Sequence, residues 1–309
     1  MILGLDVGNY GLKVNSNINV KSLVTEHEKI LNEGITLEMD GKRYIIGDGN
    51  FETELNKSNK ENFLPLLFTG IALSSKDEFN QVVVGLPINQ YRTNKSVIEN
   101  LIFENKMKVI KFNNEIRKIV IADFKVYPEG IGAYYSLNTN EDVIIVDIGG
   151  RTTDIAYIEN KRNSISSTVA TGTLNIYKSV ADKLNSDYCL NLSILDAEKI
   201  IKRGKLLIDG SQVDLSFITD ILKENFMKIK EDLDFKFPAR TEQIILVGGG
   251  TYLYQKAFMK RYKNCIAADN PIFANSIGFQ KVGEKLWKWS LLHWASKILK
   301  KIENYINGS

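Results

Sequence analysis

Short runs of apolar, mostly β-branched residues alternate along the chain with longer segments whose apolar residues recur at helical spacing. ILGLDV at 2–7 and VIIVDI at 143–148 predict buried strands. Residues 62–74 predict a buried helix, and 217–233 predict a long amphipathic one. Strands that alternate with helices in this way indicate an α/β fold.

The two strands share an arrangement of polar residues. Asp6 and Asp147 each end a strand, and each is followed at once by a glycine-containing turn and a second short strand. A carboxylate in such a turn can hold a metal ion or a water, and glycine lets backbone N–H groups approach a phosphate. A single turn of this kind could be a ligand-free hairpin. Two of them, about 140 residues apart, predict two similar domains that face each other across a nucleotide.

Between the two turns the pattern predicts further elements. Residues 35–49 read as a hairpin with Asp40 and Gly41 at its turn, and 52–61 as a polar surface loop. Residues 81–91 predict a buried strand that stops at Pro87, and 94–108 predict a helix. Residues 115–126 predict two short strands.

Other polar residues lie at positions where they could take part in catalysis or nucleotide binding, and each also has a purely structural interpretation. Glu129 follows Pro128 at a predicted helix start, where it could orient an attacking water or only interact with the helix dipole. Lys13, after the first turn, could contact phosphate oxygens or be an exposed strand lysine. Glu198 and Lys202 are typical of a solvated helix face, with nucleotide contact as the alternative. The segment 242–254 predicts a strand, three glycines and a helix start, which fits close backbone approach to a nucleotide.

Composition narrows the functional classes. With 309 residues the chain is long enough for two domains, and 44% hydrophobic residues can form a sizeable core. The net charge is +3; six lysines and two glutamates from residue 281 onward contribute +4, so the rest of the chain carries −1. This balance argues against direct nucleic-acid binding. Two distant cysteines and two histidines argue against a zinc site or a disulfide framework. With neither a signal peptide nor an 18-residue apolar stretch in view, we expect a cytoplasmic protein.

The C-terminal segment 284–309 is a separate basic element that contains Trp287, Trp289 and Trp294. Its apolar residues can share one helical face with the lysines outside it. A helix docked on its own domain, a contact between subunits and a helix on a membrane surface are all compatible with this pattern.

Five segments in order, spanning nearly the whole chain, carry a resemblance to a known family. It resembles the actin-like ATPases, and in particular the bacterial plasmid-segregation branch, ParM (StbA). The first and fourth segments are shared by actins, heat-shock chaperones and sugar kinases, whereas the second and third are closer to the ParM branch. The segments are DVGNYGLK at 6–13, VVVGLPINQY at 82–91, VYPEGIGAYY at 126–135, VDIGGRTTD at 146–154 and VGGGTYL at 247–253.

The resemblance implies a two-lobed α/β fold in which each lobe has a mixed five-stranded sheet flanked by helices. Domain I would comprise 1–132 plus 271–309, and domain II 133–270. ATP or ADP with Mg²⁺ would lie between the lobes, with GTP left open as an alternative. Subunits would polymerise head to tail and segregate plasmid or similar extrachromosomal DNA through a ParR-type adaptor DNA-binding protein.

The resemblance also implies roles for single residues. Asp6, Glu129 and Asp147 would be catalytic, with Asp6 and Asp147 organising Mg²⁺ through water and Glu129 orienting the hydrolytic water. The nucleotide would contact both turns, the glycine triplet and one helix. The implied contacts are Gly8, Asn9, Tyr10, Gly11, Lys13, Gly149, Gly150, Arg151, Thr152, Glu198, Lys202, Gly248, Gly249, Gly250 and Thr251.

Two other functions remain open from the sequence. A small-molecule, sugar-type kinase of the same superfamily would share the nucleotide site, although the chain has no Cys/His cluster of the kind that zinc-bearing kinases use. A membrane-associated actin-like scaffold is supported only by the Trp- and Lys-rich tail.

Overall fold

The computed structural model describes residues 1–15, 17–26, 34–54 and 56–288. Within these residues the chain forms two lobes, each with a sheet, flanking helices and a hydrophobic core of its own. This confirms the predicted two-lobed α/β fold. Of the C-terminal segment, 289–309 lies outside the described residues, and with it most of the predicted amphipathic tail.

The sheet of the first lobe has nine strands among the described residues, in the order β3-β2-β1-β7-β9-β8-β5-β6-β4, rather than the five expected. The difference arises because β8, β5, β6 and β4 continue the sheet beyond β9. The elements are β1 (Ile2–Val7), β2 (Gly11–Val14), β3 (Ile18–Lys21), β4 (Leu23–Glu26), β5 (Ile35–Met39), β6 (Lys42–Phe51), α1 (Phe63–Ser74), β7 (Phe79–Leu86), α2 (Ile88–Glu104), β8 (Met107–Phe112) and β9 (Glu115–Pro128).

The sheet of the second lobe has the expected five strands in the described part of the chain, ordered β12-β11-β10-β15-β16. A separate two-stranded hairpin accompanies it. The elements are α3 (Ile131–Ser136), β10 (Val143–Ile148), β11 (Thr153–Glu159), β12 (Arg162–Val169), α4 (Thr173–Tyr188), α5 (Ile194–Arg203), β13 (Leu207–Ile208), β14 (Ser211–Gln212), α6 (Phe217–Lys236), β15 (Gln243–Val247), α7 (Thr251–Arg261), β16 (Cys265–Ala267) and a helix over 274–288, called α8 here.

The two strand–turn pairs occupy matching places in the two sheets. β1 pairs antiparallel with β2 and parallel with β7, and β10 pairs antiparallel with β11 and parallel with β15. In the first hairpin Asp6 lies opposite Lys13, and in the second Asp147 lies opposite Asp154. Each sheet therefore carries an acid-bearing turn at the end of a buried strand.

Several local predictions needed correction. The two strands expected over 115–126 form the single strand β9. The interruption between them is a β-bulge and not a turn, because Asn80 of β7 pairs with Ile121 whereas the next residue, Gln81, pairs with Asp123. Helix α2 begins at Ile88 rather than at 94, with Pro87 at its N-cap, and ends before β8. The hairpin at 35–49 is confirmed, with Asp40 and Gly41 at positive φ as its turn requires.

Helix α8 packs against the first lobe. A Cβ on Gly4 of β1 would lie 2.1 Å from the Ser276 carbonyl oxygen, so the helix backbone touches the strand directly. Phe279 is buried in the space left by Gly85 and Gly132, and the Trp287 indole donates to Asp123 Oδ2 at 2.8 Å. Among the described helices, none has the length and apolar character needed to cross a bilayer.

Candidate functional site

A cavity of about 650 Å³ lies between the lobes and is lined by both of them. Its size falls in the range of small-molecule sites. Most of the site residues predicted from sequence line it: Asp6, Asn9, Tyr10, Lys13, Glu129, Asp147, Gly149, Gly150, Thr152, Glu198, Lys202, Gly248 and Gly249.

The two acid-bearing turns are closed by equivalent hydrogen bonds. The Gly8 N–H donates to the Gly11 carbonyl at 3.1 Å, and the Gly149 N–H donates to the Thr152 carbonyl at 2.9 Å. The turns also touch each other, since a Cβ on Gly150 would lie only 2.8 Å from Tyr10 Cβ. Glycine at 150 is thus needed for the lobes to approach this closely.

The acids at the base of the cavity are buried close together. Asp147 is 7% exposed, and burial, followed by the charges of Glu129 and Asp6, raises its pKa to about 7. Lys13 donates to Asp6 Oδ2 at 3.1 Å; burial lowers the pKa of Lys13, but the charges of Asp6, Asp147 and Glu129 together outweigh that effect and raise it overall. Burial also raises the pKa of Asp154 well above its usual value, although Thr168 donates to its carboxylate. The base of the cavity therefore brings several buried carboxyl groups close to one another and to the ammonium group of Lys13.

Glu129 lies just before α3 and is held by a lysine that sequence reasoning missed. Lys57 is 2% exposed and donates to Glu129 Oε1 at 2.5 Å and to the Gly85 carbonyl at 3.0 Å. Burial raises the pKa of Glu129, and Lys57 opposes that shift. The prediction of a surface loop over 52–61 is thus wrong at Lys57. Its sequence context, rich in Lys, Asn and Glu, gives no sign of burial.

Asn275 on α8 is a second residue that the sequence did not single out. Its side-chain amide donates to Asp147 Oδ2 at 2.6 Å, and its Oδ1 accepts from the Gly130 N–H at 2.9 Å. This one side chain therefore connects the second-lobe acid with the backbone next to Glu129. The amide lowers the pKa of Asp147, against the larger effect of burial.

Glu198 of the second lobe lines the cavity and is bonded to residues of the first lobe. It is 4% exposed and accepts from the Tyr10 hydroxyl at 2.5 Å, from Lys21 at 2.8 Å and from Lys202 at 2.6 Å. Burial acts to raise the pKa of Glu198, but these three donors outweigh it and lower the pKa to about 2. A solvated-face interpretation is therefore wrong for Glu198, whereas the side chain of Lys202 is largely exposed and also lines the cavity.

Five predicted contacts do not line the cavity: Gly8, Gly11, Arg151, Gly250 and Thr251. Arg151 donates instead to the Glu52 carbonyl at 2.7 Å, which ties the second turn to the first lobe. Gly250 packs on Ile148, and Thr251 is fully buried. Gly248 has a φ of +82° and lies so close to Asp147 that a Cβ would be 2.4 Å from Oδ1, so its role is partly to make room for that acid.

The described residues contain no group of three or more His, Cys, Asp or Glu side chains arranged to ligate a metal directly. Asp6 and Asp147 could therefore act on a cation only together with water or with ligand oxygens.

Two family models match the chain. Residues 4–132 match the N-terminal domain of actin-like proteins, and residues 145–260 match the C-terminal domain of the archaeal, MreB-like actin homologue. Among curated proteins no sequence matches this chain.

Solved structures with the same fold cover almost the whole chain. A 15-stranded ParM filament from Clostridium botulinum is 21% identical, with a TM-score of 0.79 over 92% of this chain and 99% of that one. The archaeal actin homologue Ta0583 is 20% identical, with a TM-score of 0.78 over 92% of this chain and 99% of that one. Its complex with ADP is 21% identical, with a TM-score of 0.76 over the same shares of the two chains. From the two family models and the shared two-lobed fold, this chain belongs to the actin-like superfamily, and ParM filaments are among its structural neighbours.

Proposed function

We propose that this protein binds ATP and ADP with Mg²⁺ between its lobes, hydrolyses ATP and polymerises head to tail into dynamic filaments. The observation that carries the proposal is the pair of acid-bearing turns, which face each other in one cavity that Glu129 also lines. The ADP complex of the archaeal homologue and the ParM filament support nucleotide binding and self-assembly.

The phosphates would lie between the two turns. Lys13 supplies a cation there, and Gly149 and Gly150 supply backbone that a phosphate can approach. Gly249 lines the cavity with open space beside its Cα, so it can face the nucleoside, next to Glu198 and Lys202. GTP remains an alternative nucleotide for this cleft.

The residues present fit a hydrated magnesium ion. Asp6 and Asp147 supply carboxylate oxygens, the ligands that Mg²⁺ prefers, and repulsion from Glu129 and Asp6 contributes to the raised pKa of Asp147. A divalent cation would relieve that repulsion. Bound there with the phosphates, Mg²⁺ would neutralise charge that develops on the phosphoryl oxygens.

Hydrolysis by this site needs positioning rather than a covalent nucleophile. Glu129 lines the cavity from the first lobe and can accept a hydrogen bond from a water placed against the terminal phosphate. Asp147, held by Asn275, faces the same region from the second lobe. The two acids would orient the water and the phosphate relative to each other.

The cellular role that we propose is segregation of plasmid or similar extrachromosomal DNA in the cytoplasm, through a ParR-type adaptor. The near-neutral body of the chain suits a filament that contacts DNA only through such an adaptor. We propose domain boundaries of 1–132 plus 271–309 and 133–270, supported by the packing of α8 on β1.

Sedimentation and light scattering at micromolar protein test the assembly, with ATP, with ADP and without nucleotide, while phosphate release is followed in the same samples. We expect polymer with ATP that declines as phosphate is released. Absence of sedimentable polymer with ATP would refute the filament proposal. Phosphate transfer to a panel of sugars without turnover of ATP alone would favour a kinase instead.

A further inference from the structure

We propose that Lys57 is a positioning residue for hydrolysis: its buried ammonium fixes one oxygen of Glu129 and leaves the other for the attacking water. This inference rests on the ATPase activity proposed above and assigns a function to a residue outside the actin-like motifs.

The contacts around Glu129 hold its side chain on several sides. Lys57 Nζ lies 2.5 Å from Oε1, and the same ammonium donates to the Gly85 carbonyl at 3.0 Å. The Glu129 N–H donates to the Leu86 carbonyl at 2.9 Å, and Glu129 Cγ would lie 3.0 Å from a Cβ on Gly85. The absence of a side chain at Gly85 thus leaves space for Glu129, and the bond from Lys57 fixes the position of the Glu129 carboxylate.

Lys57 is itself fixed by helix α2. Lys57 is the first residue of the 3₁₀ turn Lys57–Asn59, where the Asn56 side chain accepts a hydrogen bond from the Ser58 N–H at 3.1 Å. Asn94 of α2 donates to that same Asn56 oxygen at 2.7 Å, and the Lys57 N–H donates to Gln90 Oε1 at 2.9 Å. The turn is therefore attached to a helix rather than free at the surface, so its lysine has a defined position.

The charges around the pair explain why a cation is needed here. Glu129 is buried and faces the like charges of Asp6 and Asp147, and Lys13 is already engaged with Asp6. A buried carboxylate among like charges is unfavourable unless a cation and hydrogen bonds compensate it. Lys57 supplies that compensation from the first lobe without lining the cavity itself, whereas Glu129 does line it, so the cavity side of the carboxylate stays available.

The test is a double-mutant cycle on ATP hydrolysis with Lys57→Met, Glu129→Ala and the double variant. We expect Lys57→Met to lower kcat by about 10- to 100-fold, since a small misplacement of a catalytic group has an effect of this size. The KM for ATP and the Kd for ADP should stay within about twofold of the parent values. In the Glu129→Ala background, Lys57→Met should cause no further loss of kcat, because the residue it positions is gone.

Lys76→Met is the matched control. Its ammonium lies 3.3 Å from the Glu115 carboxylate, but both side chains are exposed and neither lines the cavity. Its kcat should equal that of the parent. Lys57→Arg, which keeps the charge, should recover part of the activity that Lys57→Met loses.

The outcomes separate the inference from the proposed function. Failure of the parent chain to hydrolyse ATP would refute the ATPase proposal itself. An active parent with an unchanged kcat in Lys57→Met would overturn the role of Lys57, and so would an equal loss in the presence and absence of Glu129. If Lys57→Met does not fold, as judged by circular dichroism, Lys57→Gln takes its place with the same criteria.

Discussion

Asn275 and Asp147 are joined across the cleft by a hydrogen bond of 2.6 Å from the Asn275 amide to Asp147 Oδ2. Asn275 belongs to α8, which packs on the first lobe, whereas Asp147 lies one residue before the end of the central strand of the second lobe. The other end of the same amide accepts from Gly130, the residue after Glu129. One uncharged side chain therefore links Asp147 to the backbone beside Glu129, the two acids that we propose act on water and phosphate.

Asn275→Ala should weaken both the fold and the chemistry. It leaves the buried Gly130 N–H without its acceptor, which costs about 1–3 kcal/mol. Denaturant unfolding without nucleotide measures this loss, and phosphate release measures the accompanying fall in kcat. Asn185→Ala is the control, since Asn185 also makes two hydrogen bonds, both to the backbone of Leu192, and does not line the cavity. Equal kcat values in the two variants would contradict the role given to Asn275.

Glu129→Ala and Asp147→Ala should differ in what they remove. Glu129→Ala should bind nucleotide and assemble, but it should hydrolyse ATP more slowly than the parent by about 10²-fold or more. Its filaments should therefore persist longer. Asp147→Ala should also weaken the magnesium dependence of nucleotide binding, because it removes a proposed cation ligand. Nucleotide titrations with and without Mg²⁺ separate the two effects. Hydrolysis at the parent rate in Glu129→Ala would exclude it as the residue that orients water.

Tyr10→Phe should make the cleft open faster. The Tyr10 hydroxyl donates to Glu198 at 2.5 Å and so joins the first turn to α5 of the second lobe. Loss of a hydrogen bond to a charged group weakens closure by about 1.5–3 kcal/mol at most. Stopped-flow release of fluorescent ADP should therefore accelerate. Tyr262→Phe removes a similar bond to Asp234 and should leave release unchanged; matching rates for all three proteins would show that Tyr10 does not hold the lobes.

The stability of the nucleotide-free protein should depend on pH through Asp147. Its pKa of about 7 is above its ordinary value of 3.8, so the fold favours the protonated form. The stability that it contributes is complete below about pH 4 and is lost as the pH rises through about 7. Between these values its effect on the free energy of unfolding is at most about 1.4 kcal/mol per pH unit. Denaturant unfolding in EDTA at pH 5 to 8 measures how the free energy of unfolding changes with pH. Asp147→Asn should reduce this change per pH unit; an unchanged value would show that another group causes the pH dependence.

Much of the cleft followed from local sequence, because strand, acid and glycine turn are adjacent in the chain. Asp6 and Asp147 could be paired from their motifs alone, and the structure places them in one cavity. Glu129 could be located because a proline and two glycines surround it.

What local sequence could not reveal depends on long-range packing. Lys57 has the neighbours of a surface residue, and only the attachment of its turn to α2 buries it beside Glu129. Asn275 lies 128 positions from Asp147 and becomes its partner only when α8 returns to the first lobe. Glu198 belongs to an otherwise amphipathic helix, and the opposite lobe turns its position into an interior one.

The register of the two hairpins sets Lys13 against Asp6 but Asp154 against Asp147. A cleft between two like hairpins could accept a ligand in either of two senses. The difference at corresponding positions removes this ambiguity: Lys13 attracts a polyphosphate, whereas Asp154 is a buried carboxyl group with a raised pKa and offers no cation. Every subunit of the proposed filament would then hold its nucleotide the same way round.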